Sequence, residues 1–416
     1  MNKKTIRDVS LEGKRVLMRV DFNVPLDGVT VTDDTRIRAA LPTIQMILEQ
    51  GASLVLMSHC GRPKGKVAPE FSLKPAGDRL ADLLGRPVAM APDCVGAETL
   101  ALAEGLEAGD VLLLENLRFY PEEEGKVKIA DDATAEEQAT AQQEAADKQL
   151  EFARQLSELG DIYVNDAFGT AHRAHASMAV VTQFFDECVA GLLLEKEIEY
   201  LGNAVANPER PFVAIIGGAK ISGKIDVIQN LMDKVDTLII GGGMVYTFYR
   251  HMGLTVGNSI VEEDKIELAG ETLKRAEESG VKILFPVDQV VADDFSAEAN
   301  TKVVPREEIP DDWEALDIGP ESAKRFAEAI KDAKTIVWNG PMGCFEMAPF
   351  AHGTLTVMNA VAENDGVSIV GGGDSVAAVN ANNLADKITH ISTGGGASLE
   401  FLEGKLLPGV EALTDK

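Results

Sequence analysis

The sequence predicts an α/β protein of two parts, each built on an open, parallel β-sheet. Short apolar runs rich in β-branched residues recur along the 416 residues, as strands buried on both faces require. Runs in the second half end in glycines, and runs in the first half end in polar or basic residues. The length favours about two or three domains. Because ligands bind outside the carboxyl ends of such strands, each half predicts a binding edge.

The composition is that of an acidic globular protein with ample core. Hydrophobic residues make up 45% of the chain, charged residues 25%, and the formal net charge is −28. This balance argues against nucleic acid or an anionic membrane as partner, since both bind through basic surface. An anionic small molecule remains open, because screening over ~8 Å lets an arginine cluster stay locally positive.

The four cysteines are too far apart to suggest a disulfide framework or a metal motif. They predict reduced thiols at Cys60, Cys94, Cys188 and Cys344. The N-terminus lacks a signal-like apolar stretch, and no run approaches the ~20 apolar residues of a spanning helix. A cytoplasmic location is therefore expected.

Four strands are predicted in the first half: Arg15 to Val20, Ser53 to Met57, Val111 to Leu114 and Ile162 to Val164. Basic side chains follow them, namely Arg36 (ahead of a helical segment that runs to Gln50), His59, Arg62, Arg118 and Arg173. Each alone could be an ordinary surface residue. Their repetition at ends that open on one sheet edge predicts a site for phosphate or carboxylate, which suit guanidinium groups.

His172 and His175 also follow the fourth strand and raise the question of a metal site. Zinc needs three or four ligands, and no further ligand follows at suitable spacing. Phosphate contact or simple packing is the preferred interpretation.

Two further segments stand out, one inside the first half and one at its end. Residues Glu122 to Gln155 are acidic and rich in Ala and Gln, which predicts a solvated surface helix or a partly mobile insertion, with no chemistry assigned. Phe184 to Leu201 has helical spacing, and Asn207 to Pro211 then interrupts the chain. The domain junction is placed in this helix and the break after it.

The second half opens with a predicted strand, Phe212 to Ile216, followed by GGAKISGK. Gly218, Gly223 and Lys224 have P-loop spacing, but Ile225 stands where a P-loop needs Ser or Thr for magnesium. A helix that starts directly after the glycines would bind phosphate at its N-terminus, with Lys220 and Lys224 on one face. An ordinary tight turn with two solvated lysines is the alternative.

Four more strands are predicted to end in glycine-rich turns: Thr237 to Ile240, Thr335 to Trp338, Val367 to Val370 and Thr389 to Ser392. Backbone at these turns can lie against a nucleotide, at positions that include Gly242, Asn339, Gly372 and Gly373. Asp374, with Ser375 beside it, is the candidate magnesium ligand, because a carboxylate beside phosphate oxygens can hold a hydrated Mg²⁺. A helix N-cap is the alternative role for this pair.

The ordered set of motifs resembles the phosphoglycerate kinase family over nearly the full chain. The segments are RVDFNVP, SHCGRP, ENLRF, NDAFGTAHRAHAS, GGAKISGK, IIGGGM, WNGPMGCFE, GGGDS and STGGGASLE. The resemblance implies two doubly wound, Rossmann-like lobes joined by a hinge helix. The lobes would span 1–185 and 211–403, with hinge helix and linker at 186–210 and residues 404–416 returning to the first lobe.

The resemblance also implies an activity: Mg²⁺-dependent, reversible phosphoryl transfer between 1,3-bisphosphoglycerate and ADP, by a monomer. The first lobe would bind 3-phosphoglycerate through Asp21, Asn23, Arg36, His59, Arg62, Arg118 and Arg173. The second would bind the nucleotide through Lys220, Lys224, Gly242, Asn339, Glu346 (at the ribose), Gly372, Gly373, Asp374 (at the metal) and Ser375. Arg36 and Lys220 would flank the transferred group as the catalytic pair.

Three departures from the family pattern occur. Cys60 replaces a more usual Leu, Ser375 replaces Thr, and the acidic stretch around 127–148 is longer than usual. Two other functions compete with phosphoryl transfer. A dinucleotide oxidoreductase lacks support because no glycine cluster completes G-x-G-x-x-G. A non-catalytic acidic binding protein of the same fold stays open, since fold does not imply function.

Overall fold

The structure, a computed structural model, describes residues 2–130 and 132–416, which form two compact units. The N-terminal unit comprises the chain up to Glu199 together with Leu406–Lys416. The C-terminal unit comprises Tyr200–Lys405.

The N-terminal unit is built on a six-stranded parallel sheet. Its strands, with one short hairpin (β2 and β3), are β1 (Arg15–Arg19), β2 (Leu26–Asp27), β3 (Thr30–Val31), β4 (Ser53–Met57), β5 (Ala89–Met90), β6 (Val111–Leu113), β7 (Ile162–Asn165) and β8 (Cys188–Ala190). The order across the sheet is β5-β6-β4-β1-β7-β8. The direction of winding reverses beside β1, which pairs in parallel with both β4 and β7.

Helices cover this sheet, because strands such as β4 are buried along their whole length and must be shielded on both faces. The helices of this part of the chain are α1 (Thr35–Glu49), α2 (Lys74–Leu84), α3 (Ala97–Glu104), α4 (Pro121–Glu124), α5 (Ala135–Ser157) and α6 (Leu192–Ala206), which belongs to the C-terminal unit from Tyr200 onward. The contacts of Ile37, Ile44 and Ile47 on α1 with the sheet form part of one continuous core.

The acidic, alanine-rich stretch is helical for most of its length. Thr134 and Glu137 form a capping box at the start of α5, each side chain accepting from the other's backbone N–H. Only Phe152, Ala153 and Leu156, near the C-terminal end, are buried. The structure therefore supports the solvated-surface-helix interpretation of this segment.

The prediction of one helix from Phe184 to Leu201 is wrong in its first part. Cys188–Ala190 forms β8, because these small and β-branched residues pair with β7, and helix α6 begins only after Gly191. The buried Asp166 carboxylate accepts from the backbone N–H groups of Leu193 (2.9 Å) and Leu194 (3.1 Å). It thereby satisfies two donors at the start of α6, while burial raises the pKa of Asp166 to about 7.

The C-terminal unit repeats the architecture with nine strands. They are β9 (Phe212–Ile216), β10 (Thr237–Ile240), β11 (Lys282–Leu284), β12 (Asp288–Ala292), β13 (Thr301–Pro305), β14 (Glu314–Ile318), β15 (Thr335–Asn339), β16 (Val367–Gly371) and β17 (His390–Ile391). The parallel sheet has the order β11-β10-β9-β15-β16-β17, and β13-β12-β14 form a small antiparallel sheet. The chain therefore reverses its winding between β9 and β15, which are hydrogen-bonded neighbours.

The remaining helices are α7 (Ile225–Leu231), α8 (Val245–His251), α9 (Ile266–Ser279), α10 (Pro320–Lys331), α11 (His352–Ala362), α12 (Gly373–Ala381), α13 (Gly396–Leu402) and α14 (Pro408–Glu411). Helix α14 belongs to the N-terminal unit, where the Asn165 side chain donates to the Gly409 carbonyl at 2.9 Å. In the described ranges 2–130 and 132–416, no helix is both long enough and apolar enough to cross a bilayer.

The predicted fold class is confirmed: both units are doubly wound α/β structures on six parallel strands. One local prediction is wrong. The helix after β9 begins at Ile225 rather than directly after the glycines, so Lys220 and Lys224 do not share a helix face. Lys220 lies in the preceding loop, and Lys224 is the N-cap residue of α7.

Candidate functional site

The edge at the carboxyl end of β1 holds the first group of predicted residues. The Arg36 guanidinium, in the first turn of α1, donates to Asp21 Oδ2 at 2.9 Å. Oδ1 of Asn23, two residues after Asp21, accepts a hydrogen bond from the Gly61 N–H at 2.8 Å. The loops after β1 and β4 are thus tied together by side chains that the sequence singled out.

The loop after β4 is fixed from both sides at Gly61, which has a left-handed φ of 60°. Its N–H is held by Asn23 and its carbonyl accepts from Arg118 Nη1 at 2.9 Å. Arg118 is largely buried and lies 3.3 Å from Glu124, measured from Nε to Oε1. Arg62, the next residue after Gly61, is exposed and makes no hydrogen bond or ion pair with a residue that the structure describes.

His59 is buried among cations. Its Nδ1 lies 3.2 Å from Nη2 of the fully buried Arg19 and 4.0 Å from Asp21 Oδ1. Burial, followed by the charges of Arg19 and Arg118, lowers the pKa of His59 well below its usual value. The imidazole is therefore neutral near pH 7, and it can act as a hydrogen-bond donor or acceptor without adding charge.

The loop after β7 supplies the last basic residues of the N-terminal unit. Arg173 is partly exposed, and its charge acts on both Arg118 and His172. Burial and the neighbouring cations lower the pKa of His172 to about 4. His175 is buried. Over residues 2–130 and 132–416, no three His, Cys, Asp or Glu side chains come together in a way that could hold a metal ion.

Sequence reasoning missed two residues of this edge. Arg19, at the end of β1, is fully buried, and its Nε donates to Ser177 Oγ at 2.8 Å. Glu123 on α4, in the segment to which no chemistry was assigned, is also fully buried and accepts from Ser177 N–H and Oγ. A charged residue inside the apolar run RVLMRV was the available signal for Arg19; nothing distinguished Glu123 from its two glutamate neighbours.

In the C-terminal unit, the predicted phosphate turn lies where the sheet reverses its winding. The Gly217 N–H donates to the Asn339 carbonyl at 2.9 Å and the Gly218 N–H to the Pro341 carbonyl at 3.2 Å. A side chain at Gly217 would overlap the Pro341 carbonyl, 2.0 Å from its Cβ position. Only glycine permits this approach of the two loops. In open α/β sheets this crevice is where ligands bind.

Lys224 reaches back into that crevice from the start of α7. Its ammonium group donates to Asn339 Oδ1. Burial lowers the pKa of Lys224 to about 8, against the opposing effect of Asp374. The Nδ2 group of Asn339 is buried and lacks a partner among the described residues. Asn339 therefore has a donor available for a ligand at this edge.

The N-terminus of α12 lies beside the same crevice, where Gly372 approaches the Asn339 side chain. Gly372, with φ of 86°, is the N-cap, so the alternative role of Asp374 as N-cap is wrong. Gly373 and Asp374 are exposed in the first turn. Ser375 is buried, and its Oγ accepts from the Gly340 N–H at 2.8 Å. The hydroxyl thus braces the loop after β15.

Of the remaining predicted residues, Gly242 contacts the crevice, while Lys220 and Glu346 lie exposed in the loops after β9 and β15. Lys220 is exposed, and its charge acts on Glu262, which accepts from Ser222 in the same loop. Gly242, with φ of 71°, lies so close to Gly218 that a Cβ would be 2.6 Å from its backbone. Glu346 is exposed in the loop after β15.

These two edges define a class: a two-unit α/β protein with a cluster of basic side chains at the sheet edge of one unit and a glycine-lined crevice at the sheet edge of the other. The family model described as phosphoglycerate kinase matches residues 6–405. The chain is 57% identical over 418 residues to the phosphoglycerate kinase of Chloroherpeton thalassium, with both chains covered completely. It is 55% identical over 415 residues to the cytosolic phosphoglycerate kinase of Triticum aestivum, covering 99% of this chain and 98% of that one.

The fold comparison agrees. The structure of phosphoglycerate kinase from Coxiella burnetii matches with a TM-score of 0.86 at 39% identity, covering 99% of this chain and 98% of that chain. The chain therefore belongs to the phosphoglycerate kinase family.

Proposed function

We propose that the chain transfers a phosphoryl group reversibly between 1,3-bisphosphoglycerate and ADP, giving 3-phosphoglycerate and ATP. The full-length match to a family of carboxyl-acceptor phosphotransferases is the observation that carries the proposal. The two anion sites supply what this chemistry needs, since phosphoryl transfer depends on positioning and charge neutralisation more than on covalent help.

The N-terminal unit is proposed to bind 3-phosphoglycerate at the basic edge. Arg62 and Arg173 have exposed or partly exposed guanidinium groups that can form bidentate contacts with phosphate. Arg36 is held by Asp21, while Asn23 and Arg118 fix the loop that carries Arg62. His59 would contribute a neutral donor.

The C-terminal unit is proposed to bind the nucleotide. Asn339, Lys224 and the first turn of α12 are proposed to bind the phosphates, together with Lys220, which is exposed in the loop after β9. The backbone at Gly242, Gly372 and Gly373 gives close approach, and Glu346 is assigned to the ribose. Ser375 would act through the Gly340 loop that it braces.

The residues present fit a magnesium ion held together with the nucleotide. Asp374 is an exposed carboxylate at a helix N-terminus and can give one oxygen ligand. Mg²⁺ usually keeps several waters and takes further ligands from substrate phosphates, so one carboxylate suffices. When bound, the metal would neutralise phosphate charge.

No general base is required in this reaction, because the acceptor is already an anion, either a carboxylate or an ADP oxygen. Arg36 and Lys220 are proposed to neutralise charge on the transferred group. This assignment distinguishes an enzyme from a non-catalytic binding protein of the same fold, because substitution of Arg36 or Lys220 is predicted to lower turnover.

We further propose that the protein acts as a monomer in the cytoplasm. The wheat relative carries a cytosolic name, and the acidic net charge of −28 opposes association with anionic membranes or nucleic acid.

A coupled assay tests the activity. Purified protein with Mg-ATP should form ADP only when 3-phosphoglycerate is added. Oxidation of NADH in the absence of the coupling enzyme would instead favour the oxidoreductase. A protein that forms no ADP with magnesium and 3-phosphoglycerate present would refute the proposal.

Lys220→Ala tests the catalytic assignment. Removing a cation that stabilises the moving phosphoryl group should lower turnover by about three decades, as for other phosphoryl-transfer cations. The ADP dissociation constant should change far less, because the interaction strengthens toward the transition state. The variant's melting temperature serves as the folding control. A folded variant with turnover within a few-fold of the parent would remove Lys220 from the mechanism.

A further inference from the structure

Glu123, Ser177, Arg19 and His59 form a buried hydrogen-bonded network behind the basic edge. The donor and the acceptor of each contact in it follow from hydrogen-bond chemistry. Glu123 lies at its far end, fully buried on α4. Burial alone would raise the pKa of Glu123, but contact with His175 and the charge of Arg19 lower it below its usual value. The carboxylate is therefore ionised near pH 7, and an ionised carboxylate can only accept hydrogen bonds.

The next member of the network is Ser177. Its N–H donates to Glu123 Oε2 at 3.0 Å and its hydroxyl to Oε1 at 2.6 Å. Because the hydroxyl proton is committed to Glu123, Ser177 Oγ must use a lone pair toward its other neighbour, Arg19 Nε at 2.8 Å. Arg19 Nη2 also lies 4.0 Å from Glu123 Oε1, so the carboxylate is the guanidinium's nearest counter-charge.

Arg19 in turn determines which ring nitrogen of His59 carries the proton. A guanidinium has donors and no acceptor, so the 3.2 Å contact between Arg19 Nη2 and His59 Nδ1 requires a bare Nδ1. Burial, followed by the charges of Arg19 and Arg118, lowers the pKa of His59 and keeps the ring uncharged. The single ring proton must then be on Nε2.

We infer that Glu123 is a positioning residue: through Ser177 and Arg19 it fixes the Nε2–H tautomer of His59 at the basic edge. The benefit of such an arrangement is specific. A neutral Nε2–H donor suits an anionic ligand, whereas a bare Nε2 would present a lone pair to it. The inference rests on the proposed 3-phosphoglycerate site only for its effect on catalysis, since the tautomer itself exists without ligand.

Nitrogen NMR of the ligand-free, full-length protein tests the tautomer directly. In ¹⁵N-labelled protein near pH 7, His59 should show an unprotonated Nδ1 and a protonated Nε2, with the resonance assigned through a His59→Asn variant. A protonated Nδ1 in the parent protein would overturn the inference, whatever the enzyme activity. Absence of 3-phosphoglycerate-dependent activity would refute the proposed function and leave this measurement intact.

Substitutions then test the role of Glu123. In Glu123→Gln the amide oxygen must serve the Ser177 N–H, which leaves the amide NH₂ facing the Ser177 hydroxyl. The hydroxyl loses its acceptor, and Arg19 loses its counter-charge. Arg19 is then no longer held against His59 Nδ1, so we expect a mixture of His59 tautomers. We also expect a KM for 3-phosphoglycerate raised about tenfold, the equivalent of one charged hydrogen bond. The KM for ATP should stay within about twofold.

Glu122→Gln is the matched control, since it removes the same charge one residue away with no contact to Ser177 or Arg19. It should keep the parent His59 spectrum and both KM values. Ser177→Ala removes the connecting hydroxyl but keeps both buried charges, and it serves if Glu123→Gln does not fold. Folded Glu123→Gln or Ser177→Ala protein with the parent His59 spectrum and parent KM values would overturn the inference.

Discussion

Burial lowers the pKa of two site residues, and the two shifts have different functional consequences. At Lys224, desolvation weakens the hold on a proton and places its pKa at about 8. At His59, burial and neighbouring cations suppress the charged form altogether. Lys224 can therefore lose a charge slightly above neutral pH, whereas His59 has none to lose.

Lys224 should make ADP binding depend on pH. Only the ammonium form attracts phosphate, and in the free protein it loses its proton as pH rises through about 8. Affinity for ADP should therefore be highest below pH 8 and fall above it, by up to tenfold per pH unit. Calorimetry between pH 7.5 and pH 9.5, where the terminal phosphate of ADP is mostly ionised, measures this slope.

Lys224→Gln is the control for that slope. The variant should bind ADP more weakly than the parent at pH 7.5 and show no comparable decline toward pH 9.5. An equal decline in parent and variant would assign the pH dependence to another group.

Residue types at strand ends were predictable, but their partners were not. Arg36 and Arg118 stood out because basic residues repeat after strands, and the structure ties both into the loops of one edge. Glu123 could not be found this way. Its burial depends on α4 packing against Ser177, a residue 54 positions away in the chain. Local sequence carries no record of such a contact.

At the scale of elements, the loop between β9 and α7 determines the position from which Lys224 enters the crevice. Gly217 and Gly218 end the strand, and the helix begins only at Ile225. Lys224 therefore enters the crevice as the N-cap of α7, from the last position of the segment 217–224 that joins β9 to α7. The P-loop spacing of Gly218, Gly223 and Lys224 is therefore a coincidence. The sequence lacks the Ser or Thr that a P-loop needs, and the helix starts only after Lys224.

Two glycines of this loop give a matched test. At Gly217 an added Cβ would lie 2.0 Å from the Pro341 carbonyl, whereas at Gly223 no atom lies within 4 Å. Gly217→Ala should force β9 and β15 apart at their carboxyl ends, costing about 1–3 kcal/mol as overpacking does, and it should weaken ADP binding. Gly223→Ala should leave both properties near those of the parent.

Thermal unfolding and ADP calorimetry on both variants check this prediction. If Gly223→Ala loses as much ADP affinity as Gly217→Ala, the requirement is for flexibility in the loop and not for close approach of the two strand ends.

Strands were easier to predict than helices. Ser53–Met57, Phe212–Ile216 and Thr237–Ile240 have the predicted bounds, because a fully buried parallel strand is a short, continuous apolar run. The segment from Phe184 failed because β8 contributes only three residues, too few for strand alternation to be distinguished from helical spacing.

Over the whole molecule, the net charge of −28 coexists with a strongly basic edge. Buried and partly buried acids make this possible: Asp21 pairs with Arg36, Glu124 with Arg118, and Glu123 with Arg19. Pairing leaves Arg62 as an exposed guanidinium with no hydrogen bond or ion pair to the residues described. Attraction of an anionic substrate should therefore depend on this local group more than on the net charge of the protein.

Arg62→Ala separates the two ligand sites. Since Arg62 supports no other side chain among those described, the variant's stability should stay within about 0.5 kcal/mol of the parent's. Loss of charged hydrogen bonds worth about 1.5–3 kcal/mol should weaken 3-phosphoglycerate binding by roughly 10–100-fold, while ADP affinity is unchanged because that site belongs to the other unit.

Arg38→Ala is the matched control: it removes the same charge from an exposed position in the same unit, where Arg38 pairs with Asp34. Calorimetry with each ligand on both variants decides the matter. Equal losses of 3-phosphoglycerate affinity in the two variants would mean that general charge attracts the substrate, and a matching loss of ADP affinity in Arg62→Ala would contradict the assignment of the ligands to separate units.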